Sequence, residues 1–356
     1  MAVDPLQNDA GDASQVDPSL AQEAQIPFQS FAIPDFPPQA SNLKALTLTS
    51  DIKVDEYSTH LQSNVPPVPR LPPSIHSLTL ELFALGYPPG FLRALVDRLP
   101  NLKSLVVYSQ LFSGTTAESH LDALAFFEKC AQNGLTALHL LDVFGTTAFF
   151  VGVGSIFNKH STALRFLEVN YNYRYDDEDF LTRLPGLGLL SLVRPSLVTC
   201  AFNISLADVT NDPQDPANLH EKGNEVETAG QKKRGMVPLD EEYGKELVRT
   251  LTEQSAPEDL KLLNTTLYTV SAEELSQILQ KHPGITILSA ALRMRATSEY
   301  KQTVLKAIAH CASIEQVELV MFPDKDLMEE ASAIHMKCLL QLSANICRSR
   351  DTTPKL

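Results

Sequence analysis

Gly152-Val153-Gly154-Ser155 comes nearest to a phosphate-holding loop, because a tight glycine turn lets the backbone approach a pyrophosphate. Phe157 stands where the third glycine of that fingerprint belongs, so the match stops halfway. The chain has no GxxxxGK run, no GxSxG elbow and no paired-histidine metal motif. Its nine histidines are scattered, and nothing in the sequence orients His139 or His160 for acid–base work. Asp176-Asp177-Glu178-Asp179 lacks the alternating oxygen ligands, turn glycine and terminal glutamate of a calcium loop. It reads instead as the acidic first turn of a helix holding Phe180, Leu181 and Leu184. The expectation is therefore no catalytic residue, no metal and no cofactor, with a divergent α/β enzyme site near Gly152–Ser155 as the alternative.

The elements that would position any site come from a repeat. Its unit is an apolar residue, two variable residues, an apolar residue, one variable residue and a third apolar residue. Copies occur at Leu43/Leu46/Leu48, Ile75/Leu78/Leu80, Leu102/Leu105/Val107, Leu135/Leu138/Leu140, Leu164/Leu167/Val169, Leu187/Leu190/Leu192 and Ile314/Val317/Leu319. Weaker copies begin at Leu260 and Ile285. The starts lie roughly 23–33 residues apart, with one gap of roughly 73. Each ordinary interval holds one strand, one helix and two turns.

Helical stripes fill several intervals. Phe91, Leu92, Leu95, Val96 and Leu99 end at Pro100; Leu121, Leu124, Phe127 and Cys130 end near Gly134. Leu275, Ile278 and Leu279 follow Ser271, whose Ser-Ala-Glu-Glu start puts acids in the first turn, and Val304, Leu305, Ile308 and Cys311 form a fourth stripe. The junctions Leu99-Pro100-Asn101-Leu102 and His282-Pro283-Gly284-Ile285 pass directly from helix end to next strand.

With these junctions, residues 42–322 resemble the cytosolic leucine-rich-repeat family of ribonuclease-inhibitor-like, strand-plus-helix units, notably the irregular arrays of F-box proteins and their fungal relatives. The resemblance implies an α/β solenoid, an arc of parallel strands with outer helices, and a substrate-receptor-like role. Asn172 alone clearly matches the asparagine that closes the family's strand turn, and residues 1–41 supply no F-box helix. A doubly wound α/β domain shows the same strand–helix alternation and stays open as the other architecture.

The expected organisation is a disordered Pro-rich arm (1–41), N-terminal units (42–207), a disordered polar insert (208–240), C-terminal units (241–325) and a capping helix (326–350). Leu197–Phe202 would add a strand before the insert, and Lys232-Lys233-Arg234 within it is a weak nuclear-address match. A net charge of −14 disfavours duplex DNA and anionic membranes as partners. Five widely spaced cysteines suit reduced core thiols, and the opening residues lack a signal-peptide pattern; both point to cytoplasm or nucleus.

Period-two alternation turns the residues between the leucines away from the core. The candidate partner-binding residues on that face are Tyr108, His139, Phe166, Glu168 and Asn170, with Tyr171 and Tyr173 in a following loop. Aromatics with a few charges on a rigid sheet have the composition of interface anchors, and Tyr108, His139, Phe166 and Glu168 are expected to form one row. The expected partner is another protein rather than a nucleic acid, a membrane or a small-molecule substrate.

Overall fold

Leu46 and Leu48, or Leu105 and Val107, share one side of the chain only if the backbone between them is extended. A computed structural model of the protein describes residues 22–27, 33–37, 40–50, 67–81, 86–173, 179–206, 239, 241–254, 256–295, 298–323 and 341–342. Its strands are β1 (Glu23–Pro27), β2 (Ala45–Thr49), β3 (Ser77–Glu81), β4 (Ser104–Tyr108), β5 (Ala137–Leu141) and β6 (Phe166–Tyr173). They continue as β7 (Thr199–Leu206), β8 (Leu262–Val270), β9 (Ile287–Met294), β10 (Gln316–Pro323) and β11 (Gln341–Leu342). All eleven form one open sheet in which spatial order equals chain order. β1 to β10 run parallel, and β11 pairs antiparallel to β10.

Helices lie between the strands: α1 (Phe91–Asp97), α2 (Ala117–Gln132), α3 (Thr147–Lys159), α4 (Leu187–Leu190), α5 (Glu241–Arg249), α6 (Ala272–Lys281) and α7 (Ser298–His310). Successive helices touch all the way from α1 to α7, so they form one layer behind the sheet. Right-handed crossovers that always step to the adjacent strand leave helices on one face only. A doubly wound sheet reverses its strand order and carries helices on both faces. That architecture is excluded, and the α/β, solenoid-like arrangement stands.

The core lies between these layers. Leu46, Leu78, Leu105, Leu138, Leu167, Cys200, Leu263 and Leu288 occupy one register level and are fully buried. Behind them Phe112, Phe126, Phe127, Phe149 and Phe157 meet edge to face, with ring centres 5.5 to 6.1 Å apart. Gly90 begins α1 without a capping side chain. Asp122 of α2 supplies the cap instead, accepting from Leu92 N at 3.0 Å and Arg93 N at 3.1 Å. The acidic start of α6 forms the full capping box between Ser271 and Glu274.

Several expectations need correction. Leu187–Leu190 is a helical turn, α4, rather than a strand; the sixth unit is Leu197/Cys200/Phe202, which leads into β7. The arm expected through residue 41 contributes β1, while Ile33 is buried and Phe36 packs on the core. The helix expected at Asp176–Leu184 is a 3-10 turn at Leu181–Arg183, with 174–178 outside the described residues. The insert 208–240, with Lys232-Arg234, lies outside them too, except for Leu239. Of the capping helix at 326–350 only Gln341–Leu342 is described, and it is strand.

His282 closes α6 from inside: it is buried, and its Nε2 lies 2.8 Å from the Leu251 carbonyl, tying α6 to the π-turn after α5. Burial, with Lys281 adding like charge, holds its pKa below the ordinary 6.5, although the Leu251 carbonyl favours the charged form. Below pH 6.5 the unfolded chain therefore takes up a proton that the folded chain resists, so stability present above that pH is lost as pH falls. Urea midpoints at pH 7.5 and 5.5 should show a smaller acid-induced drop for His282→Gln, which keeps an N–H for Leu251, than for the parent chain. An equal drop would rule this out.

Candidate functional site

On the face opposite the helices the register sorts the candidate residues into three levels. Ser77, Ser104, Ala137, Phe166 and Thr199 pair across one; Val106, His139, Glu168, Ala201 and Asn264 across the next; Glu81, Tyr108, Leu141, Asn170 and Asn203 across the third. Tyr108, His139, Phe166, Glu168 and Asn170 thus share the open face, as period two demands, and are all half-buried. They do not form one row, because residues two apart along a strand sit on the same face at different heights.

The centre of this face is built around His139. Its Nδ1 lies 2.8 Å from Glu168 Oε2, with the two side chains 24% and 32% exposed. Phe166 stacks on the imidazole with ring centres 4.6 Å apart. An orienting group absent from the local sequence therefore arrives from the neighbouring strand, 29 residues away. Among the described residues no hydroxyl or thiol is bonded to His139 Nε2. Asn170 completes the cluster, its Oδ1 3.1 Å from Ser205 Oγ.

Tyr171 and Tyr173 leave the candidate set. β6 continues through Tyr173, so alternation carries both rings to the core side instead of into a loop. Tyr171 is fully buried, its hydroxyl donates to the Val143 carbonyl at 2.8 Å, and burial pushes its phenol far above the usual range. Tyr173 packs edge-on against Phe180 at 5.3 Å. Asp142, in the left-handed region at φ 51°, fixes this strand end by accepting from Asn172 N and Nδ2, both at 2.7 Å.

Gly152–Ser155 lies inside α3 rather than at a strand-to-helix turn. A Cβ on Gly154 would lie 2.4 Å from the Ser191 carbonyl, so this glycine serves close helix packing. His160 belongs to the helix layer, where Glu128 meets both His160 (3.1 Å) and Lys159 (2.8 Å) and is held below its ordinary pKa by them. Among the described residues no group of three or more His, Cys, Asp or Glu is placed to hold a metal. No described helix is long and apolar enough to cross a membrane.

No family model matches this chain, and no curated protein matches it. The sorting of tyrosines by burial can be measured directly. Tyr171→Ala should lose about 3–5 kcal/mol in denaturant unfolding, as buried aromatics do, whereas Phe166→Ala on the open face should lose far less. Comparable losses would mean that β6 has been assigned the wrong phase.

Proposed function

We propose that this chain is a non-enzymatic recognition protein that holds another protein on the open face of its sheet. The observation carrying this reading is the preorganised cluster of Phe166, His139 and Glu168, flanked by Val106, Tyr108, Leu141 and Asn170. Half-buried aromatic and aliphatic side chains on consecutive rigid strands lose little entropy on docking, and a stacked, ion-paired histidine has even less freedom to lose. The fold and its apolar repeat also suit the leucine-rich-repeat-like, substrate-receptor-like role that the sequence resemblance implies. Residues 1–41 do not read as an F-box, so the resemblance supports the receptor-like array and not a ligase-adaptor segment within them. The glycines of the small-molecule alternative, at Gly152–Ser155, lie within α3 rather than at a strand-to-helix turn.

The decisive experiment compares proteins recovered with the full chain and with a Tyr108→Ala/Phe166→Ala double variant from the native cell. Truncating central aromatic anchors commonly costs ~2 kcal/mol, about thirtyfold in affinity, so the leading partner should be lost while the variant keeps a cooperative melt. A folded variant that retains every partner removes the open face as the binding surface.

A further inference from the structure

The second residue of each repeat unit sits just before its strand, at the sheet's N-terminal rim. In chain order this position holds Lys44, His76, Lys103, Thr136, Arg165, Val198, Lys261, Thr286 and Glu315. Their equivalence is structural: each carbonyl from Lys44 to Thr286 accepts two amides from the next unit, as Lys44 O does from His76 N (2.9 Å) and Ser77 N (3.1 Å). The role belongs to the main chain, and Thr and Val fill it as well as Lys. The fold therefore does not require cations here.

Yet the rim from β2 to β6 carries Lys44, His76, Lys103 and Arg165, all exposed, on a chain whose net charge is −14. Among the described residues none of the four is ion-paired; Lys103 Nζ donates only to the Asn133 carbonyl beyond α2. Towards β8–β10 the rim changes sign, with Lys261 neutralised by Asp259 at 2.8 Å and Glu315 exposed. Four strand steps of ~4.8 Å make the cationic stretch ~19 Å long, the span of about six residues of extended chain.

We propose that the β2–β6 rim docks an acidic, extended segment of a protein partner. Charge complementarity selects the acidic segment, and length fits it to the row that holds Lys44, Lys103 and Arg165. Duplex nucleic acid fits worse, because its binding rests on many neutralised phosphates and this rim is one row deep on an acidic molecule. The site is separate from the open-face aromatics and does not depend on them.

The test uses the full chain and a fluorescent peptide of alternating glutamate and serine, about twelve residues long, read by anisotropy. A glutamine-for-glutamate peptide and a thymidine oligonucleotide of similar length serve as comparisons. The acidic peptide should bind at ~50 mM salt, the glutamine peptide should not, and ~500 mM salt should abolish binding. Lys44→Glu with Arg165→Glu, whose side chains make no hydrogen bond or ion pair among the described residues, should weaken it at least about tenfold while Tyr108→Ala/Phe166→Ala leaves it unchanged. If the charge reversal disturbs folding, Lys44→Gln with Arg165→Gln gives the same comparison with a smaller loss. The proposal is overturned by no binding at low salt, by equal binding of the rim variants, or by the oligonucleotide binding as tightly as the acidic peptide.

Discussion

The carbonyl oxygens of Gln22, Lys44, His76, Lys103, Thr136, Arg165, Val198, Lys261 and Thr286 each accept the two amides that open the next unit, at 2.7 to 3.1 Å. This recurring pair of bonds sets the register of every strand against its predecessor. In a period-two backbone, a slip of one residue would exchange the two faces of the sheet. The same small contact therefore decides that leucines meet the helices and that Val106, His139 and Glu168 meet solvent. It also keeps rim side chains equivalent from strand to strand, so their charges add along a line.

A parallel sheet is usually covered on both faces, which is why its strands tend to be uniformly apolar. Here helices cover one face only, and β2 to β6 alternate as antiparallel strands often do, while β8 and β9 are buried along most of their length. Uncovered parallel backbone still meets its hydrogen-bonding demand through neighbouring strands, so the open face need only tolerate water through its side chains. Threonine, serine and asparagine meet that need over much of the sheet. Val106, Tyr108, Leu141 and Phe166 over β4–β6 depart from that composition, as do Leu262 and Ile287 further along the same face.

Much of this architecture was legible because leucine spacing reports strand phase directly. Eight of the nine repeat starts read from the sequence lead into observed strands. Leu187/Leu190/Leu192 satisfied the same pattern, yet Pro185 and Gly186 turn the chain and Gly188 packs against Thr147 and Phe150, which suits a short helical turn. Cys200 and Phe202 carry the real unit with a less aliphatic signature, and β1 has only Ala24 and Ile26 to mark it. The candidate site was legible as a face but not as a pattern. Which residue stands beside which depends on register between units, and this hid both the Glu168 partner of His139 and the true levels of Tyr108 and Phe166.

Where the ladder weakens, side chains take over. β7 and β8 pair only through Thr199–Ala201 and Leu262–Asn264, and β8 then shifts register against β9 between Thr265 and Thr269. Leu239 fills part of the opening, donating to the Leu267 carbonyl at 3.0 Å and accepting from Thr269 N at 2.9 Å. Across the rest, Thr266 Oγ1 lies 2.8 Å from Oδ1 of both Asn203 and Asn264, and Thr266 N donates to Asn264 Oδ1 at 3.0 Å. Asparagine is a poor strand residue because its amide competes with the backbone for hydrogen bonds. At this junction the competition is useful: a side-chain amide reaches where the main-chain ladder no longer does. The asparagines of the open face near β7 and β8 are therefore explained by the break they bridge, whereas Phe166, His139 and Glu168 stack and pair among themselves away from that break.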